Sequence, residues 1–275
     1  PSSINKKGRI EIPVVGDVGY VLEDLTKLWK AKVHGRDAKL LDHWWKQIAK
    51  WRKKDSLAYS NSKSIIKPQY ALERLQAATK GRETYYTTEV GQHQMWAAQH
   101  LKFEKPHHWM TSGGLGTMGY GLPAAMGVQM AHPDALVIDI AGEASILMNI
   151  QEMSTLAQHR LPVKVVILNN HYMGMVRQWQ EFFHGGRYAE SYMDSLPDFV
   201  MLAESFGAVG MRATKPDELD SLFAEMIASD KAVIADIIVD PEENVYPMIP
   251  SGAAHYEMKL GPDDEDKSTK TMVTL

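Results

Sequence analysis

An α/β fold built on a doubly wound parallel sheet is what this sequence predicts, and three observations predict it. Five apolar runs of strand length occupy residues 85–88, 135–140, 163–168, 208–212 and 232–239. Their apolar character is near-continuous rather than alternating, as expected of strands covered on both faces. A helical pattern separates each run from the next, so successive strands lie parallel with helices as crossovers. Polar segments follow several of the runs, and in such sheets ligands bind beyond the carboxyl ends of the strands.

Composition narrows the class. The chain has 275 residues, 44% hydrophobic and 23% charged, enough for one large core or two smaller ones. A formal net charge of -4 supplies no basic field to recruit nucleic acid. No uninterrupted apolar run approaches the roughly 18 residues of a membrane span. Neither nucleic acid nor a membrane is therefore expected as a partner. Cysteine is absent, which excludes disulfides and thiolate chemistry and fits a cytoplasmic protein.

The elements follow in order. Pro1 stands where Met is usual and no signal-peptide pattern follows, which reads as a cut inside a longer chain. Residues 10–15 read as a short strand, Gly16 and Asp17 as a turn, and 18–29 as a helix. One strand and one helix bury no core, so 1–34 reads as the remnant of a preceding domain. A linker is expected over 35–67. Within it Leu41, Trp44, Trp45, Ile48 and Trp51 fall at helical spacing opposite a basic face. Such a helix suits a membrane or nucleic acid surface, but tryptophans more commonly clamp a linker helix onto its own protein.

The main domain is expected over 68–255. Phe199, Leu202, Ala203 and Phe206 form one helical stripe there. Leu219, Leu222, Phe223, Met226 and Ile227 form another, opened by Pro216, Asp217 and Glu218. From 256 to 275 the chain turns polar and acidic, lacks the apolar residues that offset ordering entropy, and reads as a mobile tail.

The densest chemical signal is the run 113–123, with Gly113, Gly114, Gly116, Gly119 and Gly121 among its first nine positions. Glycine at this frequency marks close approach of a ligand to the main chain or a positive φ. Gly114, Gly116 and Gly119 also fit the dinucleotide fingerprint, with Asp139 twenty residues beyond Gly119. That reading needs a buried strand before the glycines, and residues 107–112 make a poor one.

A second signal favours a different ligand. The run 135–140 leads into Ala141, Gly142, Glu143, Ala144 and Ser145, and the run 163–168 leads into Asn169 and Asn170. If these strands are parallel neighbours, a Glu143 carboxylate oxygen and an Asn170 amide oxygen share one rim. Hard oxygen ligands from two loops suit Mg²⁺, which commonly completes its shell with phosphate oxygens. The pattern resembles the thiamine-diphosphate motif, which begins Gly-Asp-Gly and ends Asn-Asn. The 27 positions from Glu143 to Asn170 fit its spacing.

Four further segments narrow the resemblance. Residues 89–96 (EVGQHQMW), 113–123, 169–179 (NNHYMGMVRQW) and 247–252 (PMIPSG) together resemble acetohydroxyacid synthase (acetolactate synthase) catalytic subunits over about 68–255. Family members have a pyrimidine-binding module, a central flavin-binding module and a diphosphate-binding module, so 1–34 would be the end of the central one. The resemblance implies a thiamine-diphosphate-binding fold. It also implies condensation of pyruvate with a second 2-oxo acid, pyruvate or 2-oxobutyrate, with loss of CO2, in branched-chain amino acid biosynthesis. FAD in the full-length enzyme, a homodimer or tetramer sharing its site between subunits, and a small regulatory subunit are implied too. The location would be cytoplasmic in a bacterium, plastid or mitochondrial in a eukaryote.

Residue by residue, the resemblance assigns Mg²⁺ to Glu143, Asn170 and the main-chain oxygen of Tyr172. Gln92 and His93, with Gly91, Gly142, Glu143, Ala144 and Ser145, would hold the diphosphate. Gly116 would offer its carbonyl to the aminopyrimidine, Met118 would be the wedge that bends the cofactor, and Val90, Gly174 and Met175 would lie beside them. Met175, Val176, Trp179 and Ser251 would line the substrate channel or an inhibitor site. The glutamate acting on the aminopyrimidine belongs to the absent pyrimidine module of a neighbouring subunit, so no catalytic residue is expected here and the fragment alone is expected to be inactive.

Two positions depart from the motif. Glu143 stands where Asp is usual, reaching one methylene further, and Ala144 adds a methyl where the second glycine usually admits the diphosphate. Simpler roles stay open: His93 as a structural histidine, Trp179 as core, and Met118 and Met175 as core filling among 16 methionines. Other thiamine-dependent enzymes, such as glyoxylate carboligase or pyruvate oxidase, and a catalytically silent module are the alternative functions.

Overall fold

The computed structural model describes residues 2–6, 8–32, 38–250 and 252–262. It divides into two compact units, Pro1–Asp55 and Ser56–Leu275, and the division falls inside the stretch expected as a linker. Most of the expected tail, from residue 263 on, lies outside the described residues.

In the first unit α1 (Val18–Lys32) and α2 (Ala38–Arg52) form where the periodicity placed them. Asp17 starts α1, its Oδ1 accepting the Gly19 N–H at 2.9 Å. Residues 10–15 form no strand, contrary to the sequence reading. A lone extended segment has no neighbour to take up its main-chain groups, and Pro13 has no N–H to offer. The α2 tryptophans Trp44, Trp45 and Trp51 are all exposed. Trp44 and Trp51 pack edge-on against each other, centroids 5.4 Å apart, along their own helix.

The second unit runs α3 (Pro68–Thr79), β1 (Thr84–Thr88), α4 (Gln92–His100), β2 (Trp109–Thr111), α5 (Gly121–Ala131), β3 (Leu136–Ala141), α6 (Glu143–Ile146), α7 (Glu152–His159), β4 (Lys164–Asn169), α8 (Gly174–Phe183), α9 (Phe199–Ser205), β5 (Val209–Ala213), α10 (Leu219–Ala228) and β6 (Val233–Ile238). The six strands form one sheet in the order β2-β1-β3-β4-β6-β5, every pair parallel. Five of them reproduce the apolar runs to within a residue at either end.

The sixth, β2, corrects the sequence reading of 107–112 as too poor for a strand. It is held by pairing with β1 along Tyr86–Thr88, by the Thr88 hydroxyl donating to Thr111 Oγ1 at 2.6 Å, and by Trp109 stacked on Phe103. Three residues at a sheet edge need only one good neighbour, so the segment forms without an apolar pattern of its own.

Side-chain alternation gives the sheet two apolar faces. Ile138, Ile140, Val166 and Ile237 pack with Leu72 of α3, Trp96 of α4 and Phe223 of α10. Val137, Val165, Ile167 and Ile234 pack with Leu122 of α5, Leu156 of α7 and Phe199 of α9. The chain winds outward from β1 to β2, then returns to place β3 on the other side of β1. The crevice at the carboxyl ends of β1 and β3 is therefore the switch point, where such folds bind ligands.

Candidate functional site

A cavity opens at that crevice. It is lined by the segment after β1 (Val90, Gly91, Gln92, His93), the turn after β3 (Gly142, Glu143, Ala144, Ser145) and the loop after β4 (Asn170, Tyr172, Met173). Gly174, Met175 and Val176 of α8 and Met118 of the glycine-rich run complete its wall. Nearly every residue singled out from the sequence is thus brought to one place by three strand ends.

His93, in the first turn of α4, is neutral. Burial pushes its ring down to about 3, against a smaller opposing effect of the Glu89 main chain. Two glycines admit the ring. A Cβ at Gly91 would stand 2.8 Å from its Cε1, and one at Gly142 2.7 Å from its Nδ1. Its Nε2 has no partner among the described residues. The opening N–H groups of α4 likewise have no acceptor earlier in the helix.

Glu143 opens α6 and is 1% exposed. Burial raises its carboxyl to about 8, the main-chain N–H groups of Glu143, Tyr172 and Asn170 pull it back, and the Asp236 charge adds to the rise. Its Oε1 has no hydrogen-bond partner, and it forms no ion pair among the described residues. A buried carboxylate in this state is costly unless a cation meets it.

Across the cavity, Asn170 Oδ1 accepts the Tyr172 N–H at 3.1 Å, while its Nδ2 donates to Gln92 Oε1 at 3.1 Å. No three His, Asp or Glu side chains among the described residues converge as a metal cage. The available donors are one carboxylate, one amide oxygen and main-chain oxygens. This is the oxygen-only, incomplete set that suits Mg²⁺ bound with a phosphate group.

The loop carrying these donors is strapped in place. Met173 N–H donates to Ser191 O and Met193 N–H to His171 O, both at 2.8 Å. Arg177, buried in α8, holds its guanidinium 5.4 Å from the Tyr172 ring centroid and 5.2 Å from that of Tyr188. Glu181, one turn on, pairs with the same guanidinium at 2.9 Å.

Gln92, expected to hold the diphosphate, lines the cavity and is also engaged inside the chain. It receives Asn170 and donates from Nε2 to Gln178 Oε1 at 2.8 Å and to Glu243 O at 3.3 Å. Gln178 in turn receives the Val245 N–H at 2.9 Å. The Gln92 side chain therefore orients Asn170. Gly116 does not line the cavity but stands at its edge, with a Cβ there 3.8 Å from Val90 Cγ1. Val176 reaches the cavity, whereas Trp179, one turn further along α8 and 39% exposed, does not. Ser251 lies outside the described residues.

Sequence reasoning missed Trp96, Leu168 and Met173, which also line the cavity. Trp96 sits one turn after Gln92 on α4, a helical step that would have found it. Asp139, the acid of the dinucleotide reading, is 0% exposed inside β3 and accepts from Thr87 Oγ1, so it reaches no ribose.

Comparison with known proteins gives the same picture. Residues 89–237 match the family described as thiamine pyrophosphate enzyme, C-terminal TPP binding domain. The chain is 45% identical over 268 residues to the acetolactate synthase large subunit of Haemophilus influenzae, a match covering 97% of this chain and 46% of that protein. It is 47% identical over 263 residues to the acetolactate synthase isozyme 3 large subunit of Escherichia coli, covering 94% of this chain and 46% of the relative. Against the large subunit of Cyanidium caldarium it is 40% identical over 259 residues, covering 94% and 44%. The chain thus spans about half the length of the curated relatives it matches. With its strand ends converging on one cavity and the family match running across more than half its length, this chain belongs to the thiamine pyrophosphate enzymes, as a member of their C-terminal TPP-binding domain family.

Proposed function

We propose that this chain supplies the diphosphate and Mg²⁺ half of the thiamine diphosphate site in an acetolactate synthase. The whole enzyme would join pyruvate to pyruvate or 2-oxobutyrate with loss of CO2, in branched-chain amino acid biosynthesis. The observation that carries the reading is Glu143, a buried carboxylate with an unpartnered oxygen, lining the same cavity as the oriented amide of Asn170. The names of the relatives support the substrate class, and the words "large subunit" in them support a smaller, regulatory partner. FAD, a homo-oligomer sharing its site between subunits, and a cytoplasmic or organellar location belong to the same proposal. No described helix is long and apolar enough to cross a membrane.

When bound, thiamine diphosphate would supply a nucleophilic carbon and an electron sink for decarboxylation of the 2-oxo acid. The residues of this chain bind and orient it. Glu143, Asn170 and the Tyr172 main-chain oxygen would hold Mg²⁺, and Gln92 fixes the Asn170 amide so that its oxygen stays available. The neutral His93 and the first N–H groups of α4 would face the diphosphate, with Gly91 and Gly142 letting the ring pack between them. Ala144 and Ser145 would form the floor, Gly116 and Met118 would meet the aminopyrimidine side, and Gly174 lets α8 approach. Met175, Val176, Trp179 and Ser251 would line the way in for substrate. The extra reach of Glu143 would be taken up against the main-chain N–H groups of Glu143 itself, Tyr172 and Asn170.

Calorimetric titration with thiamine diphosphate and Mg²⁺ tests the reading, followed by acetolactate formation from pyruvate in the full-length enzyme. Mg²⁺-dependent uptake with no turnover by these 275 residues alone is the expected result. Absence of uptake by the full-length enzyme would overturn it.

A further inference from the structure

Two carboxyl groups are buried beneath the start of α5 with no cation beside them. Glu89, just past β1, and Asp139, inside β3, are both 0% exposed. Thr87 of β1 stands opposite Asp139 of β3, and side chains alternate along a strand. Thr87, Glu89 and Asp139 therefore rise from one face of the sheet. Neither carboxyl group has an ion pair among the described residues.

Their surroundings differ sharply. Glu89 Oε2 accepts the Gly119 N–H at 2.6 Å, and its Oε1 accepts the Leu122 N–H at 3.1 Å. These groups lie at the entrance of α5, where a helix leaves its own N–H groups without acceptors and favours negative charge. Among the described residues Asp139 receives only the Thr87 hydroxyl, at 2.8 Å, and its Oδ2 has no partner. Gly121 makes the arrangement possible. A Cβ there would collide with Asp139 Oδ1 and stand 2.8 Å from the Glu89 nitrogen. Burial raises both carboxyls; the N–H groups at the start of α5 oppose the rise at Glu89, which stays above its ordinary value, while at Asp139 the Glu89 charge adds to the larger effect of burial and the carboxyl lies well above the usual range.

We propose that the pair is divided. Glu89 is the ionised member and a positioning residue for the cofactor, and Asp139 is a neutral acid that lets that charge persist. Met118, which lines the cavity, immediately precedes the Gly119 N–H that Glu89 holds. Val90, which also lines it, immediately follows Glu89 and packs near Gly116. One residue thus fixes both sides of the cleft facing the aminopyrimidine, Val90 through its backbone and Met118 through its carboxylate. The inference rests on the reading of this cavity as the thiamine diphosphate site.

The test is made in the holoenzyme. Glu89→Gln sets an amide donor against N–H groups and is expected to raise the Kd for thiamine diphosphate, at saturating Mg²⁺, at least about tenfold while the KM for pyruvate changes little. Asp139→Asn keeps a neutral group of the same shape and is expected to leave that Kd within about twofold and the Tm equal or higher. In the infrared, the C=O band of a protonated carboxyl should vanish in Asp139→Asn and persist in Glu89→Gln. An unchanged cofactor Kd in Glu89→Gln overturns the proposal, as does an equal loss in both variants or a band that survives Asp139→Asn. Should Glu89→Gln fail to fold, Glu89→Asp carries the same cofactor measurement. A wild-type enzyme that takes up no thiamine diphosphate overturns the site reading and the positioning role together, and is told apart from the other failures because both variants then behave as the parent.

Discussion

Asn170 Nδ2 donates to Gln92 Oε1 at 3.1 Å, joining the loop after β4 to the first residue of α4. This bond decides which way the Asn170 amide points, because Gln92 Nε2 is itself committed to Gln178 and to the Glu243 carbonyl. Gln92→Leu removes both ends of the relay and leaves the Asn170 amide and Gln178 without buried partners. Each such orphan costs about 1–3 kcal/mol. The expected outcome is a fall in Tm together with a loss of Mg²⁺ affinity of about tenfold or more. Differential scanning calorimetry and Mg²⁺ titration check it; normal metal affinity would remove Gln92 from its orienting role.

Glu143 carries an opposite pair of effects. Without metal it is a buried carboxyl with an unpartnered oxygen, so Glu143→Gln should leave the Tm of the metal-free chain unchanged or raise it. With Mg²⁺ and cofactor present, the same change should abolish the rise in Tm that binding gives the parent, because binding stabilises only where a site exists. Glu143→Asp should keep that rise. Thermal melts with and without Mg²⁺ and thiamine diphosphate read all three outcomes, and a ligand-induced shift in Glu143→Gln equal to the parent's would exclude Glu143 as a ligand.

His93 makes stability depend on pH. Its folded value, about 3, lies below the ordinary value of 6.5, so the folded state disfavours the proton. The contribution is therefore fully present above pH 6.5 and is lost as pH falls from there toward 3. The slope is about 1.4 kcal/mol per pH unit for one group. His93→Gln, which has nothing to protonate, should flatten the curve by that amount between pH 6 and pH 4 relative to the parent. Urea midpoints across this range in both proteins test it, and parallel curves would show that the ring is protonated in the fold.

Trp179 is 39% exposed and packs edge-on against Phe183, 5.1 Å between centroids. A core tryptophan reduced to a smaller side chain would cost about 3–5 kcal/mol. At this exposure Trp179→Leu should cost less than about 1 kcal/mol and leave the Tm nearly unchanged. In the full-length enzyme it should alter the choice between pyruvate and 2-oxobutyrate. A large fall in Tm with unaltered preference would place the indole in the core.

β1, β3, β4 and β6 were legible because they are buried on both faces and so read as apolar runs whatever their neighbours. β2 was not, since Trp109–Thr111 is held by pairing with β1 and by Trp109 on Phe103, neither of which leaves a periodic trace. The segment 10–15 failed in the opposite sense: its residues favour extension, but it has no partner strand. At the site, residue types at strand ends were readable, so Glu143, Asn170 and His93 were found and brought together. What could not be read was the division of labour, because the Gln92 bond to Asn170 depends on Gln178 and Val245, far away in the chain. The Glu89–Asp139 pair was hidden for the same reason. Asp139 entered the sequence reading only as the acid of a dinucleotide alternative that was set aside, and its burial beneath α5 gives it another place.

Gly174 sets two effects of known size against each other. It is the first residue of α8, and a Cβ there would collide with Gln92 Oε1 and come within 2.9 Å of Asn170 Nδ2. On helix propensity alone, Gly174→Ala should stabilise by up to about 1 kcal/mol, and less at a terminal position. The overlap falls on two side chains that cannot retreat, since Gln92 is tied to Gln178 and Asn170 to the Tyr172 N–H. Overpacking of this kind costs about 1–3 kcal/mol, so the clash should win. The expected result is a lower Tm together with weaker Mg²⁺-dependent cofactor binding, because the least costly escape is to break the Gln92–Asn170 bond and let the Asn170 oxygen swing away. Combining the change with Gln92→Ala, which vacates the space, should restore part of the Tm but not the Mg²⁺ affinity. A Gly174→Ala protein more stable than its parent, with unaltered metal binding, would mean that α8 moves freely and does not hold the metal loop in register.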